Sequence, residues 1–238
     1  MLEVGCGTGK LTVELAARGP RIDAVDPGEN LVAVARRRLA GGEPVRFHLG
    51  RFEEVELRPE SYDLVVSASA FHWIDPGLGW ARAAELLRPG ATIAVIQPIA
   101  IRTDDDDPAL VELDEAFEQQ APALAAERPE RRTEAAIREG FDRHRGNVSE
   151  AWGFLAHPNL TTPAAATLFG PARLTAARRI LERGADEAWA LFETTSIYHR
   201  LDPAAREELR VAHDRILAAA GGTLRFTQLV ALVTARRV

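Results

Sequence analysis

A strand–loop–helix pattern at the start of the chain constrains the fold more than any other feature of this sequence. The apolar run MLEV (1–4) leads into the loop GCGTG (5–9), and a stretch with helical periodicity, LTVELAARG (11–19), follows it. Glycines in such a loop let the backbone turn tightly and approach a ligand, with the N-terminus of a helix behind it. We therefore expect a sheet whose first strand ends at a binding loop.

Two periodicities alternate along the first half of the chain. Short apolar runs are separated by helical stretches, which is typical of a doubly wound parallel sheet. The predicted strands are 1–4, 22–25, 45–49, 62–68 and 91–97, and the predicted helices between them are 11–19, 30–41 and 77–90. Gly19, Gly41 and Gly90 stand where these helices should stop.

The pattern changes after the core segment, residues 1–98. Residues 99–195 are predicted to be mostly helical, without a clear strand, and to cover the carboxyl edge of the sheet, where a substrate would bind. Residues 196–238 are predicted to complete the core with a helix (203–220) and a strand (223–237), the latter in an antiparallel edge pair or as a single closing strand. The predicted fold class is α/β, with a Rossmann-like, doubly wound, mostly parallel sheet, a helical insertion after strand 5 and a C-terminal closing strand.

Composition narrows the classes of partner and compartment. A chain of 238 residues with a formal net charge of -6 and a pI near 5.6 disfavours nucleic acid as a partner, because phosphate binding needs a basic face. The sequence has no apolar run of about 18 residues, so no membrane span is predicted. Cys6 is the only cysteine, which rules out an intrachain disulfide and a multi-cysteine metal site. We expect a cytoplasmic protein without a metal.

Two carboxylates near the glycine loop indicate the kind of ligand. Asp26 closes the second predicted strand, where a carboxylate can accept both hydroxyls of an adenosine ribose. Glu3 precedes the loop, and its charge would repel a pyrophosphate but suits a ligand with an ammonium group. Lys10 stands where the dinucleotide fingerprint G-x-G-x-x-G requires its third glycine. These residues favour S-adenosylmethionine over a nicotinamide dinucleotide.

Five segments together resemble the class I S-adenosylmethionine-dependent methyltransferases over about residues 1 to 98. They are LEVGCGTG (2–9), AVDPG (24–28), GRFEEVEL (50–57), YDLVVSASAFHWID (62–75) and LLRPGATIAVIQP (86–98). The FHWID stretch is most similar to the branch that contains trans-aconitate-type small-molecule methyltransferases. The resemblance implies S-adenosylmethionine as the cofactor and an in-line transfer of its methyl group to a small-molecule acceptor.

The resemblance also implies roles for single residues. The implied cofactor-binding residues are Glu3, Gly5, Cys6, Gly7, Gly9, Asp26, Pro27, Arg51, Phe52, Ser67 and Ala68. Phe71, His72 and Trp73 are expected to face the substrate, and His72 is the best candidate for a general base because imidazole titrates near neutral pH. Arg51 departs from the family pattern, which has an acid there for the adenine amino group, whereas a backbone contact from Phe52 would survive that change.

Each assignment has a simpler structural alternative. The glycine loop could be a turn without a ligand, Asp26 a surface acid or helix cap, His72 a packed residue among aromatic neighbours, and Cys6 a small buried filler. Trp189 and Phe192, which are spaced i, i+3, are more typical of a core but could line an acceptor pocket.

Two other functions compete with methyl transfer. One is a non-catalytic module that binds S-adenosylmethionine or a partner protein, and the other is a nicotinamide-dependent oxidoreductase. The family usually carries helices before the first strand, and this sequence starts inside that strand. We therefore expect the N-terminal cover to be missing and the cofactor site to be open. A homodimer is a further candidate arrangement.

Overall fold

A mostly parallel sheet organises the protein, described by a computed structural model over residues 1–41, 44–128, 130–156 and 160–238. Its strands are β1 (Leu2–Val4), β2 (Ile22–Asp26), β3 (Val45–Leu49), β4 (Tyr62–Ala68), β5 (Leu87–Ala100), β6 (Arg173–Gly184) and β7 (Thr223–Arg236). They lie in the order β3-β2-β1-β4-β5-β7-β6. The reversal of strand order on either side of β1 marks the carboxyl end of β1 as the position where such sheets bind ligands.

Helices connect the strands and form most of the chain beyond β5. They are α1 (Lys10–Ala16), α2 (Glu29–Arg38), α3 (Pro76–Leu86), α4 (Ala109–Gln120), α5 (Pro122–Ala125), α6 (Glu134–His144), α7 (Val148–Ala156), α8 (Ala165–Leu168), α9 (Ala185–Glu193), α10 (Ser196–Arg200) and α11 (Pro203–Ala219). A short 3₁₀ helix, Phe71–Trp73, precedes α3. No helix in the described part of the chain is long and apolar enough to cross a membrane.

The first five strands confirm the predicted Rossmann-like plan. β1 pairs in parallel with β2 and β4, β2 with β3, and β4 with β5. In register, Glu3 lies beside Ala24 of β2 and Val66 of β4, and Asp26 lies beside Leu49 of β3. The carboxyl ends of these strands therefore meet at one edge of the sheet.

The second half departs from the prediction at β6. Residues 99–195 were expected to lack a clear strand, but Arg173–Gly184 is a strand of 12 residues and lies at the edge of the sheet. Most of its side chains are exposed, and it lacks the apolar alternation that would reveal a strand in the sequence. The C-terminal strand is confirmed as β7, and it lies between β5 and β6 rather than at the edge.

The chain divides into two compact units. The first consists of 1–99, 135–177 and 230–238, and the second of 100–134 and 178–229. This grouping differs from the predicted three segments, because residues 135–177 join the unit that holds the five parallel strands.

Each unit has its own core. In the first unit, the rings of Phe71, Trp80 and Trp152 make edge-on contacts with centroids 4.8 to 6.2 Å apart. In the second, a cluster is built around the buried Phe117 and Trp189. Aromatic burial of this kind contributes a large share of a domain's stability.

Candidate cofactor site

The glycine loop between β1 and α1 is held against the end of β2. The amides of Gly5 and Cys6 both donate to the carbonyl of Val25, at 2.8 and 3.1 Å. Gly5, Gly7 and Gly9 have φ angles of 72°, 54° and 79°, in the left-handed region that favours glycine. Glycine adopts these angles without strain, so the three glycines let the loop turn from the strand into the helix.

Gly5 also permits a close approach between two loops. A Cβ atom at this position would lie 2.2 Å from the Cβ of Ala70, which follows β4. Because real Cβ atoms do not approach so closely, any other residue at position 5 would push the loops after β1 and β4 apart. This contact brings the two loops together as one wall of the site.

Asp26 joins the glycine loop to the start of α2. Its Oδ2 accepts a hydrogen bond from the Gly7 amide and its Oδ1 accepts one from the Gly28 amide, both at 2.8 Å. The side chain is therefore fixed in orientation, although each carboxylate oxygen has a second lone pair. Those lone pairs can accept hydrogen bonds from two neighbouring hydroxyls of a ligand.

Glu3 is a buried acid beneath the glycine loop. Only 2% of the residue is exposed, and its Oε2 has no hydrogen-bond partner among the described residues. Burial raises the pKa of this carboxyl from 4.5 to about 7, with a smaller contribution from the charge of Asp26, while the Thr12 hydroxyl opposes the shift. A buried carboxylate without a partner is costly, and a cation placed beside it would offset that cost.

These residues surround a cavity of about 600 Å³ at the carboxyl ends of β1, β2 and β4. The predicted site residues in its wall are Glu3, Gly5, Cys6, Gly7, Asp26, Pro27, Ala68 and Trp73. A second cavity of about 220 Å³ has Arg51, Phe52, Gly5, Pro27 and Trp73 in its wall. Since three residues belong to both walls, the two cavities are adjacent parts of one crevice.

Trp73 is the most unusual member of the shared wall. It is 71% exposed, although tryptophan is usually much more buried. The 3₁₀ helix that carries it is followed directly by α3, whose start is capped by Asp75 accepting from the amides of Gly77 and Leu78. An aromatic face is thus presented at the crevice on a well-anchored segment.

Four predicted site residues do not line either cavity. Ser67 is buried and its hydroxyl donates to the carbonyl of Val4 at 2.8 Å, tying β4 to β1. Gly9 packs against α2, and Phe71 is buried in the aromatic cluster. His72 is half-buried, with its ring centroid 5.1 Å from that of Trp73.

Cys6 lines the larger cavity but is not a reactive thiol. Burial raises its pKa to about 12, and the nearby charge of Glu3 adds to the shift. A thiol that stays protonated is a poor nucleophile. Among the described residues, no group of three His, Cys, Asp or Glu side chains is arranged to hold a metal ion.

Several wall residues were not predicted from the sequence. They are Thr8, Lys10, Leu11, Leu31, Ser69 and Ala70 in the larger cavity, and Val4, Val25, Glu53 and Ile74 in the smaller one. Thr8 and Lys10 could have been included, because they lie within or directly after the glycine loop. Ser69 has a φ of 52°, a strained conformation for a residue other than glycine, and nothing in the sequence signals it.

Comparison with known proteins finds methyltransferases among the relatives of the segment that forms this site. The methyltransferase domain family matches residues 2–95. An uncharacterized methyltransferase of Mycobacterium tuberculosis is 38% identical over 96 residues, which are 40% of this chain and 38% of that protein. A malonyl-[acyl-carrier protein] O-methyltransferase of Bacillus cereus is 39% identical over 77 residues, 32% of this chain and 28% of that one. This chain thus aligns with well under half the length of these curated relatives.

A solved structure extends the likeness in fold to the rest of the chain. A protein of Anaeromyxobacter dehalogenans, named as a candidate type II methyltransferase, matches with a TM-score of 0.60 and 24% sequence identity. The match covers 99% of this chain and 88% of that one. At this identity the comparison bears on the fold alone.

Proposed function

We propose that this protein transfers a methyl group from S-adenosylmethionine to a small-molecule acceptor, because residues 2–95 match the methyltransferase domain family and methyltransferases are among the relatives of this segment. The observation that carries the proposal is the buried Glu3, whose unpartnered Oε2 belongs to a residue in the wall of the 600 Å³ cavity. A cationic ligand would place a positive charge beside this carboxylate, whereas a pyrophosphate would be repelled by it.

The proposal assigns wall residues to each part of S-adenosylmethionine. Asp26 would accept the ribose hydroxyls with its remaining lone pairs, and Glu3 would oppose the methionyl ammonium. Pro27 and Phe52 would flank the adenine in the smaller cavity, with Trp73 at the opening shared by both cavities. The loop glycines, which carry no Cβ atom, would allow close approach of the methionyl chain.

The cofactor supplies a methyl group already activated by its sulfonium, so the protein mainly orients and shields the reactants. Asp26 and the glycine loop would fix the nucleoside, and the apolar wall around Leu11 and Ala70 would exclude water from the methionyl end. His72 as a general base remains a prediction, because it does not line either cavity. A carboxylate acceptor would need no base, whereas a hydroxyl or ammonium acceptor would.

Competing functions are less favoured. The family match and Glu3 both argue against the nicotinamide-dependent oxidoreductase. The non-catalytic binding module remains a distinct outcome of the tests below. The Bacillus cereus relative is named as a malonyl-[acyl-carrier protein] O-methyltransferase, which makes carboxylates a sensible first class of acceptor to assay.

Calorimetry with the demethylated cofactor, S-adenosylhomocysteine, tests the binding step. We expect saturable binding, no binding of NAD, and a loss of about 10- to 100-fold in affinity for Asp26→Asn, because one or two hydrogen bonds to a charged acceptor are weakened. Glu29→Gln, an exposed acid in the first turn of α2, is the matched control and should bind normally. Equal affinity of Asp26→Asn and the wild type would contradict the assigned site.

Release of S-adenosylhomocysteine from S-adenosylmethionine tests the catalytic step. The assay uses a panel of small carboxylates, phenols and amines, and turnover with any member supports the enzyme. Tight cofactor binding without turnover across the panel would favour the non-catalytic module instead.

A further inference from the structure

The second unit contains a cavity whose wall shares no residue with the cofactor crevice. It has a volume of about 170 Å³ and lies among α4, α9, α11 and β7. Its wall is mainly apolar and aromatic, with contributions from Leu113, Phe117, Trp189, Phe192, Leu209 and Leu224. A cavity of roughly 150 Å³ with such a lining holds one benzene ring in another protein. Its size therefore suits a molecule with a single ring.

One polar side chain in this wall has an unsatisfied atom. His213 is 6% exposed, and its Nε2 has no hydrogen-bond partner among the described residues. The ring packs edge-on against Trp189, with centroids 5.3 Å apart. Leaving a buried ring nitrogen unpaired costs about 1 to 3 kcal/mol. A polar group of a bound molecule would offset this cost.

The other ring nitrogen defines what that polar group must be. The Nδ1 of His213 lies 3.1 Å from the Oδ1 of Asp214, and the Oδ2 of Asp214 also accepts from Arg210 at 3.0 Å. An ionised carboxylate only accepts, so Nδ1 is the nitrogen that donates to it, and in the neutral form of the ring Nε2 carries a lone pair. The partner that Nε2 lacks in this form of the ring is therefore a hydrogen-bond donor.

The two oppositely charged residues in the wall balance each other, so a bound molecule need not carry a charge. Asp114 and Arg128 both line the cavity, but they pair with each other at 3.1 Å. Asp114 also accepts from Arg131 at 3.2 Å, and the guanidinium of Arg128 lies 4.7 Å from the centre of the Phe117 ring. Neither sign of charge is left in excess at the wall, and a neutral molecule fits best.

From these contacts we propose that the cavity of the second unit binds a neutral, single-ring hydroxyl compound whose O–H donates to Nε2 of His213. The ring would lie among Phe117, Trp189 and Phe192. This site goes beyond the proposed methyl transfer and does not depend on it, because every residue that forms it belongs to the second unit.

Binding of phenol and toluene to the full chain tests the proposal without any substitution. The two molecules have nearly the same shape, and toluene lacks the hydroxyl. Calorimetry or ligand-observed NMR should give saturable binding of phenol that is about 5-fold tighter than that of toluene, as expected for one hydrogen bond. Equal affinities, or no saturable binding of phenol, would overturn the proposal.

Three variants locate the site. In His213→Phe the preference for phenol over toluene should disappear, while toluene still binds. Ala188→Phe places an additional ring in the cavity wall and should abolish the binding of both molecules. His199→Phe is the matched control, since this exposed histidine of α10 is absent from the wall, and it should keep the phenol preference. Circular dichroism verifies folding of each variant. A phenol preference that survives in folded His213→Phe would refute the assigned contact.

Discussion

The buried acid beneath the glycine loop should make the protein's stability depend on pH. The carboxyl of Glu3 has a pKa of about 7 in the folded protein, compared with 4.5 as its ordinary value. Between these two values, the folded state binds the proton more tightly than the unfolded chain does. The contribution of Glu3 to the free energy of unfolding is therefore fully present below about pH 4.5 and is lost as the pH rises to about 7 and above.

The size of the effect follows from the same two values. A shift from 4.5 to about 7 corresponds to roughly 3 kcal/mol in total, at about 1.4 kcal/mol per pKa unit. Between pH 5 and pH 8 about 2.5 kcal/mol of this should be lost. Glu3→Gln keeps the shape of the side chain but cannot ionise. Relative to wild type, the variant should therefore become more stable by about 2.5 kcal/mol as the pH rises from 5 to 8.

Urea denaturation followed by circular dichroism at pH 5, 6, 7 and 8 measures this difference, without added cofactor. Other titrating groups cancel because the two proteins share them. Glu14→Gln makes the same substitution at an exposed position of α1 and should show no such trend. A difference between Glu3→Gln and wild type that stays constant from pH 5 to pH 8 would refute the assignment of a strongly raised pKa to Glu3.

Three further outcomes follow from the geometry of the crevice. Gly5→Ala should lower the free energy of unfolding by about 2 to 4 kcal/mol, because it adds backbone strain and a clash with Ala70. Gly7→Ala should lower it by only about 1 kcal/mol, because its new Cβ would have no atom within 4 Å. Urea midpoints that fall equally in the two variants would contradict this. Ser67→Ala should lower the free energy of unfolding by about 1 kcal/mol, because it removes the hydrogen bond to β1. Its affinity for S-adenosylhomocysteine, measured by calorimetry, should stay within about 2-fold of wild type. A large loss of affinity would mean that Ser67 contacts the ligand directly. S-adenosylhomocysteine should change the emission of the exposed Trp73, and an undiminished change in Trp73→Phe would remove that residue from the site.

The first half of the fold could be predicted because its signals are local. Glycines with positive φ, a strand before them and a helix after them are all encoded within a few residues, and Asp26 follows from the spacing of the next strand. Parallel pairing then brings the two acids to one edge of the sheet. The predicted contacts of Glu3 and Asp26 with the crevice needed no more information than this.

The parts that were missed depend on tertiary context. Strand β6 lies at the sheet edge with mostly exposed side chains, so its sequence RLTAARRILERG carries no apolar alternation. Charged residues on an edge strand protect it from pairing with other chains, which also hides it from pattern-based prediction. Likewise, two aromatic residues close in sequence differ in burial. Phe71 is buried in the core, whereas Trp73 is exposed and lines the crevice, and this difference depends on tertiary packing that the sequence pattern does not encode.

The clamp between Asp26 and two backbone amides means that this carboxylate is oriented before any ligand arrives. Its side-chain freedom is already lost on folding, so an incoming ribose would not have to immobilise it, and more of the interaction energy would be expressed as affinity. Position 26 therefore requires a carboxylate at this exact distance from the two amides, and a negative charge alone is not sufficient. A glutamate, with the same charge and one more methylene group, would reach past both amides and misplace the loop that precedes α1 and the turn that precedes α2.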